Sequence, residues 1–306
     1  MNGLRHQALL YEGPDDFLSA TLPFVREGIA DGDPVIAVAD KPNADALRDA
    51  LGEEARDVDI RYSHEWYASP GRAFSGFLGF ACDHPDANWV RMIGEPPWPL
   101  GWRAGIAEYA HYESVFNVIS KHKPIWALCP YDVTLLPGEI LEHARATHPE
   151  IRTGTDSGTN PSYVDPDEYC SQLADRLSVP ANGDRRFAVS SDYAALRAAV
   201  GAQAEAARVR GDRLADFLLA VHEVLVNGRH HADGPATLRS WAEERTFVCD
   251  VESSGPEVSE ATAGYLPLDL TAASGRGLWL VRQLCDLVEI QSRKGRTSVR
   301  LHVQRG

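Results

Sequence analysis

Glu223-Val224-Leu225-Val226-Asn227-Gly228-Arg229-His230-His231 decides how the C-terminal half is read, together with Ala273-Ser274-Gly275-Arg276-Gly277-Leu278 further along the chain. In the first segment Glu223, Asn227 and His231 recur at every fourth position, which on a helix sets all three along one face. An Asn side-chain oxygen is a hard, neutral donor suited to Mg²⁺, and a carboxylate one turn earlier can orient or deprotonate an attacking hydroxyl. Taken alone, the pattern is first of all that of a polar helix face in solvent. In the second segment, two glycines let backbone N–H groups approach phosphate oxygens, and the start of an apolar helix adds a favourable field. An ordinary turn has the same composition. Between the two, Val251-Glu252-Ser253-Ser254-Gly255 ends a strand-like run in a tight turn. The order and spacing of the three elements are far more specific than any one of them.

Working outward, Asp192 to Arg208 and Arg213 to Arg229 read as successive helices split at Gly211-Asp212. Strand-like runs follow at Thr237 to Trp241 and Thr246 to Val251. A helix from Leu278 to Cys285 leads to strands Val288 to Ser292 and Ser298 to Val303. Helices gathered on one side of an antiparallel sheet make an α+β sandwich.

From Arg185 to Val303 this arrangement resembles the GHKL (Bergerat, HATPase) ATPase superfamily, and within it the anti-sigma-factor serine kinases of actinobacteria. Glu223, Asn227 and His231 match the first family box, and Gly275, Gly277 and Leu278 match the last. Gly277-Leu278-Trp279-Leu280-Val281, followed by Gln283-Leu284-Cys285-Asp286, is similar to actinobacterial members. The resemblance implies ATP and Mg²⁺ as cofactors, with Asn227 holding the metal and Glu223 as the catalytic base. It further implies a nucleotide pocket of Asn227, His231, Ser253, Gly255, Gly275, Arg276, Gly277 and Leu278, and γ-phosphoryl transfer to a Ser or Thr of a partner. One departure stands out: Ser253 occupies the place of the family Asp that accepts a hydrogen bond from the adenine amino group. A hydroxyl is shorter and uncharged, and charged acceptors typically contribute about 1–2 kcal/mol more. Glu252, its neighbour, points to the opposite face of a strand. Histidine-kinase chemistry is disfavoured, because no His and no pair of long helices lies between Glu150 and Asp192.

The stretch 151–184 is rich in Gly, Ser, Thr, Asn, Asp and Pro and reads as a linker between domains at 1–150 and 185–306. Thr153 to Pro161 sustains neither a helical nor a strand period. One short helical segment, Pro166 to Leu177, interrupts the linker. Before it, strand-like Ala8 to Tyr11, Pro34 to Val38, Val90 to Ile93 and Ile125 to Cys129 alternate with helical Phe17 to Ile29, Asn43 to Leu51 and Glu108 to Ile119. That alternation predicts an α/β domain with a mostly parallel sheet.

His6 to Tyr11, Phe24 to Gly28, Ile93 to Pro99, Glu113 to Asn117 and Leu128 to Asp132 together resemble the MEDS sensory domain, over about Leu4 to Pro149. The resemblance implies a RecA-like core without its nucleotide loop, sensing a small molecule that the family does not specify. No G-x-x-x-x-G-K-[ST] occurs in the chain, in keeping with that loss. A pocket at the C-terminal ends of parallel strands would draw on Tyr11, Glu12, Glu95, Trp98, Cys129, Tyr131 and Asp132, with Glu113 and Asn117 on an adjoining helix. Each aromatic there is equally explained as packing.

Lys+Arg of 30 against Asp+Glu of 44 gives a net charge of −14, which opposes direct nucleic-acid and anionic-membrane binding. No apolar run is long enough for a signal peptide or membrane anchor. The five scattered cysteines fit reduced thiols in a soluble, cytoplasmic protein. None of the eleven histidines falls into a familiar metal-ligand spacing with a second ligand pair. Two functional expectations follow. In the first, a sensory domain controls an ATP-binding module that binds and phosphorylates a sigma factor or anti-sigma-factor antagonist, the resemblance implying homodimerisation as well. In the second, motivated by Ser253, the chain is a non-catalytic small-molecule sensor whose degenerate ATPase fold is a docking or dimerisation scaffold.

Overall fold

Short apolar strands and amphipathic helices alternate through the first half of the computed structural model, which describes residues 3–174, 185–189, 192–230, 236–255, 262–266, 276–293 and 295–306. The chain divides into two compact units, Met1–Ala68 with Arg72–Gln172, and Leu173–Gly306 with Ser69–Gly71.

The first unit runs β1 (Arg5–Tyr11), α1 (Gly13–Asp31), β2 (Val35–Ala39), α2 (Lys41–Leu51), a 3₁₀ turn (Gly52–Asp57) and β3 (Val58–Tyr62). It continues with α3 (Ser63–Trp66), α4 (Pro70–Cys82), β4 (Val90–Gly94), α5 (Arg103–Ser120), β5 (Ile125–Asp132), α6 (Gly138–Thr147), β6 (Glu150–Thr153), β7 (Asp156–Thr159) and α7 (Pro166–Ala174). The strands form one seven-stranded sheet in the order β3-β2-β4-β5-β1-β6-β7. Every pairing is parallel except the terminal β6–β7 hairpin. Helix ends are set locally: Asp40 caps α2 by accepting from the Asn43 N–H, and Gly32 closes α1 in the left-handed region at φ 73°.

Because side chains alternate along a strand, the two sheet faces carry separate sets of residues. Leu9, Tyr11, Val35, Ala37, Ala39, Ile93 and Leu128 pack with Phe17, Phe24 and Leu47 of α1 and α2. The opposite parity, His6, Ala8, Met92, Ala127 and Cys129, is also buried, in the direction of Tyr112 and Phe116 of α5. Both faces covered by helices is the usual condition of a parallel sheet, and it explains the near-continuous apolar runs of β2 and β5.

The second unit holds β8 (Arg185–Ala188), α8 (Tyr193–Ala206), α9 (Gly211–His230), β9 (Thr237–Ala242), β10 (Thr246–Ser254), α10 (Arg276–Leu284), β11 (Leu287–Arg293) and β12 (Arg296–Gln304). Its five strands pair antiparallel in the order β11-β12-β10-β9-β8. Phe247, Cys249 and Val251 of β10 and Leu301 and Val303 of β12 join Phe217, Val221 and Val224 of α9 and Val281 of α10 in one core. The α/β and α+β classes expected from sequence are those observed.

The segment 151–161 departs from expectation, since Glu150–Thr153 and Asp156–Thr159 form a hairpin about Gly154 at φ 58°. β6 pairs with β1 through Gln7↔Glu150 to Leu9↔Arg152, and β7 pairs only with β6. An edge strand exposed along its length has no apolar face to show, so composition conceals it. Residues 175–184 lie outside the described residues. Among the described residues, no helix is long and apolar enough to cross a membrane.

Candidate functional site

In the second unit, α9 presents Glu223 and Asn227 one turn apart to the first turn of α10. The approach is close: a Cβ on Gly277 would lie 2.6 Å from Asn227 Nδ2 and 3.0 Å from Glu223 Oε2, so any larger residue would push those side-chain ends aside. On the next residue of α9, a Cβ on Gly228 would meet Ser253 Cβ at 3.7 Å and Oγ at 3.9 Å, an ordinary contact. Glu223, Asn227, Ser253 and Gly277, distant in sequence, therefore converge where α9, the end of β10 and the N-terminus of α10 meet. Ser253 shares the parity of the core residues Cys249 and Val251, whereas Glu252 lies on the other face, 3.7 Å from Arg296. Gly255 closes β10 by donating its N–H to the Gly295 carbonyl at 3.0 Å. Arg276 is exposed at the head of α10, and Leu278 packs against the core. His231 and Gly275 lie outside the described residues.

In the first unit, the nine residues expected to form one pocket separate into distinct groups. At the C-terminal strand ends, the Tyr11 hydroxyl donates to Glu95 Oε1 at 2.7 Å, and Asn43 Nδ2 donates to Tyr11 at 3.0 Å and to both Glu95 oxygens at 3.1 and 3.2 Å. The Asp40 N–H donates to Glu95 Oε2 at 2.8 Å. Burial nevertheless holds the Glu95 carboxyl above its usual range, and burial with the Glu95 charge pushes the Tyr11 hydroxyl up. Glu12 and Asp132 are engaged locally: the Glu12 N–H donates to Asp16, and Asp132 accepts from the N–H and hydroxyl of Thr134. Trp98 and Tyr131 lie 6.0 Å apart between ring centroids, and neither the indole N–H nor the phenol finds a partner among the described residues.

Glu113, Asn117 and Cys129 belong to another group, on the face of the sheet covered by α5. With them stand His6 of β1 and His148, the residue closing α6, so two histidines do sit among further ligand-type side chains, contrary to the reading of sequence spacing. The ligand-type atoms of His6, Glu113, Cys129 and His148 all lie within 4.8 Å of one another, and all four residues are buried. His6 Nε2 is 3.3 Å from Glu113 Oε2 and 3.4 Å from Cys129 Sγ; His148 Nε2 is 3.6 Å and Cys129 Sγ 3.8 Å from that same carboxylate oxygen. Burial pushes the Cys129 thiol up, aided by the Glu113 charge, while burial and His6 drive His148 well below its usual value. Asn117 buttresses the group: its Nδ2 donates to the carbonyls of Glu113 and Thr147, which turns Oδ1 towards His6 Nδ1 at 3.0 Å.

Residues 5–149 match the model of the MEDS family, the methanogen/methylotroph, DcmR sensory domain, and residues 188–303 match the histidine kinase-like ATPase domain. The chain is a MEDS sensory domain followed by a histidine kinase-like ATPase domain. No curated protein matches it. A sensory domain ahead of a kinase-like ATPase domain makes a signalling regulator. The α9–β10–α10 convergence falls inside the ATPase domain, and both the Glu95 network and the His6–Glu113–Cys129–His148 group fall inside the MEDS domain. Sequence reasoning missed Asn43, His6 and His148. For the histidines a signal existed: His6 sits in a buried strand, where an ionisable ring needs a reason to be.

Proposed function

We propose that the ATPase domain binds ATP with Mg²⁺ and, under control of the MEDS domain, engages a sigma factor or anti-sigma-factor antagonist and phosphorylates it on Ser or Thr. The observation that carries this reading is the approach of Gly277 to Asn227 and Glu223, a cradle that a single Cβ would fill. The residues fit the cofactor. Asn227 Oδ1 would hold Mg²⁺, backbone N–H groups at the head of α10 would face the phosphates, and Ser253 would accept from the adenine amino group. Bound ATP would supply the γ-phosphoryl group, its charge offset by Mg²⁺. Glu223, one turn before the metal-holding Asn, orients the partner's hydroxyl and takes up its proton. The partner class rests on the resemblance to anti-sigma-factor kinases alone.

Ser253 supports a second reading, in which the ATPase fold docks or dimerises without turnover. Calorimetric titration of ATP with Mg²⁺ into wild type, Asn227→Ala and Ser253→Asp separates the two. Micromolar binding in wild type, lost in Asn227→Ala and tightened about 5–30-fold in Ser253→Asp, is the expected result. Binding seen only in Ser253→Asp would overturn the kinase reading in favour of the scaffold.

A further inference from the structure

The MEDS domain holds four side chains whose arrangement makes poor sense as a hydrogen-bonded core. His148 Nδ1 lies 2.8 Å from the Ala144 carbonyl, which can only accept, so the ring proton sits on Nδ1. Asn117 uses its amide N–H groups on two carbonyls and offers Oδ1 to His6, so that ring too is protonated on Nδ1. Both Nε2 atoms then turn bare lone pairs towards Glu113 Oε2. With Glu113 ionised, three acceptors converge in a buried space where the Cys129 thiol carries the one proton. The two N···O separations of 3.3 and 3.6 Å are long for hydrogen bonds, the Cys129 thiol at 3.4 and 3.8 Å can serve only one of its two neighbours at a time, and Glu113 Oε1 and His148 Nε2 find no hydrogen-bond partner among the described residues. Converging lone pairs in a low-dielectric interior repel unless a cation lies between them.

We propose that this group is a metal site, binding one Zn²⁺-class divalent cation through His6 Nε2, the Glu113 carboxylate, Cys129 Sγ and His148 Nε2. Tetrahedral zinc with bonds of about 2.0–2.3 Å sets its ligand atoms about 3.3–3.6 Å apart. Four of the six ligand–ligand separations, 3.3, 3.4, 3.6 and 3.8 Å, lie at or just above those edges, and the remaining two are within 4.8 Å, so the ligands have only to draw in slightly around an ion. A thiolate and a carboxylate together cancel the charge of a divalent cation, so the filled site is neutral and its burial carries no net charge. Binding converts the Cys129 thiol to thiolate and releases its proton to solvent. The mixed imidazole, thiolate and carboxylate set suits zinc better than Mg²⁺ or Ca²⁺, which take oxygen donors. Each His donates its other ring nitrogen to a fixed oxygen, the outer support that metal-binding histidines require.

The ligands come from β1, α5, β5 and the end of α6, so the metal would tie the middle of the sheet to two helices. A cavity of about 20 Å³ lined by Tyr67, Phe77, Met92 and Phe116 opens onto His6, Glu113 and Cys129, leaving room beside the site for about one water-sized molecule. The site is independent of the nucleotide reading, since none of its residues lies in the ATPase domain.

The test uses the full chain, stripped of metal and titrated with Zn²⁺ and, for its spectrum, with Co²⁺. One equivalent of either per chain is expected, with intense tetrahedral cobalt bands and a thiolate-to-cobalt charge-transfer band. That charge-transfer band should vanish in Cys129→Ser and persist in Cys82→Ser, whose thiol is exposed. Should Cys129→Ser fail to fold, Asn117→Ala serves instead, with affinity expected to fall about 10–100-fold through loss of the His6 support. No uptake of either ion by wild type, a charge-transfer band that survives in Cys129→Ser, or unchanged affinity in Asn117→Ala would overturn the proposal.

Discussion

Gly277→Ala tests whether α10 closes onto α9 as tightly as the structure shows. The added methyl would lie 2.6 Å from Asn227 Nδ2, closer than real carbon contacts come, and 3.0 Å from Glu223 Oε2, a tight contact, so the ends of both side chains must move. Inserting a methyl into a filled space costs about 1–3 kcal/mol. Against that, replacing glycine by alanine in a helix gains up to about 1 kcal/mol, and less at the second residue of α10, where the helix is barely formed. Because both obstacles are ends of flexible side chains that can swing aside, the cost of the clash sits at the low end of its range, and a net loss of about 1 kcal/mol is expected. At roughly 4 °C per kcal/mol for a domain of this size, the melting transition of the ATPase domain should fall by about 4 °C. The decisive step is the double variant. Asn227→Ala removes the nearer obstacle, so Gly277→Ala in that background should cost little or become stabilising, with a coupling of about 1–3 kcal/mol. Urea unfolding of the four proteins, followed by tryptophan fluorescence, gives all terms of the cycle. A Gly277→Ala protein as stable as wild type, or one that loses the same amount in both backgrounds, would refute the argument.

Two further outcomes rest on buried charge in the MEDS domain. Arg91 of β4 is 3% exposed and donates from Nε to Asp33 at 2.9 Å and from Nη1 to the Phe24 carbonyl at 3.0 Å. Asp33→Ala leaves that guanidinium buried without its buried counter-ion and should cost about 3–5 kcal/mol in urea unfolding, whereas loss of the exposed partner in Asp31→Ala should cost less than about 1 kcal/mol. The second outcome concerns pH. The Glu95 carboxyl is raised by burial in spite of the hydrogen bonds from Asp40, Tyr11 and Asn43. A raised folded value means that its contribution is fully present below the ordinary Glu value of about 4.3 and is lost as pH rises through the raised one. The stability difference between wild type and Glu95→Gln should therefore shift in favour of the variant from pH 4 to pH 7. Parallel pH profiles for the two proteins would count against it.

What could be read from sequence, and what could not, divides along a physical line. Glu223 and Asn227 share a face because helix periodicity makes them do so. Gly277 precedes an apolar run, which marks the head of a helix. Local rules therefore placed each piece, and the fixed order of the boxes supplied the resemblance that joined them. That Gly277 touches Asn227 while Gly228 faces Ser253 is a tertiary fact, visible only once α10 lies on α9. The β6–β7 hairpin was hidden because pairing along β1, and not composition, makes those residues strands.

The metal-ligand group shows the limit more sharply. Spacing rules find ligands that one helix or one turn brings together, and here each ligand comes from a different element. His6 and Cys129 meet because β1 and β5 pair in the register Ala8↔Cys129, which sets residues of matching parity on one face. Glu113 arrives from α5 above that face, and His148 arrives because α6 ends there with its last turn receiving the His148 ring. No window of sequence contains two of these conditions at once. What a sequence does hold is the anomaly that each ligand presents in its own element: a histidine inside a buried strand, and a carboxylate on the apolar side of a buried helix. Polar residues in such places are retained when something pairs with them, and the partner proposed in this domain is a cation, because the four side chains face one another with lone pairs that the Cys129 thiol alone does not satisfy.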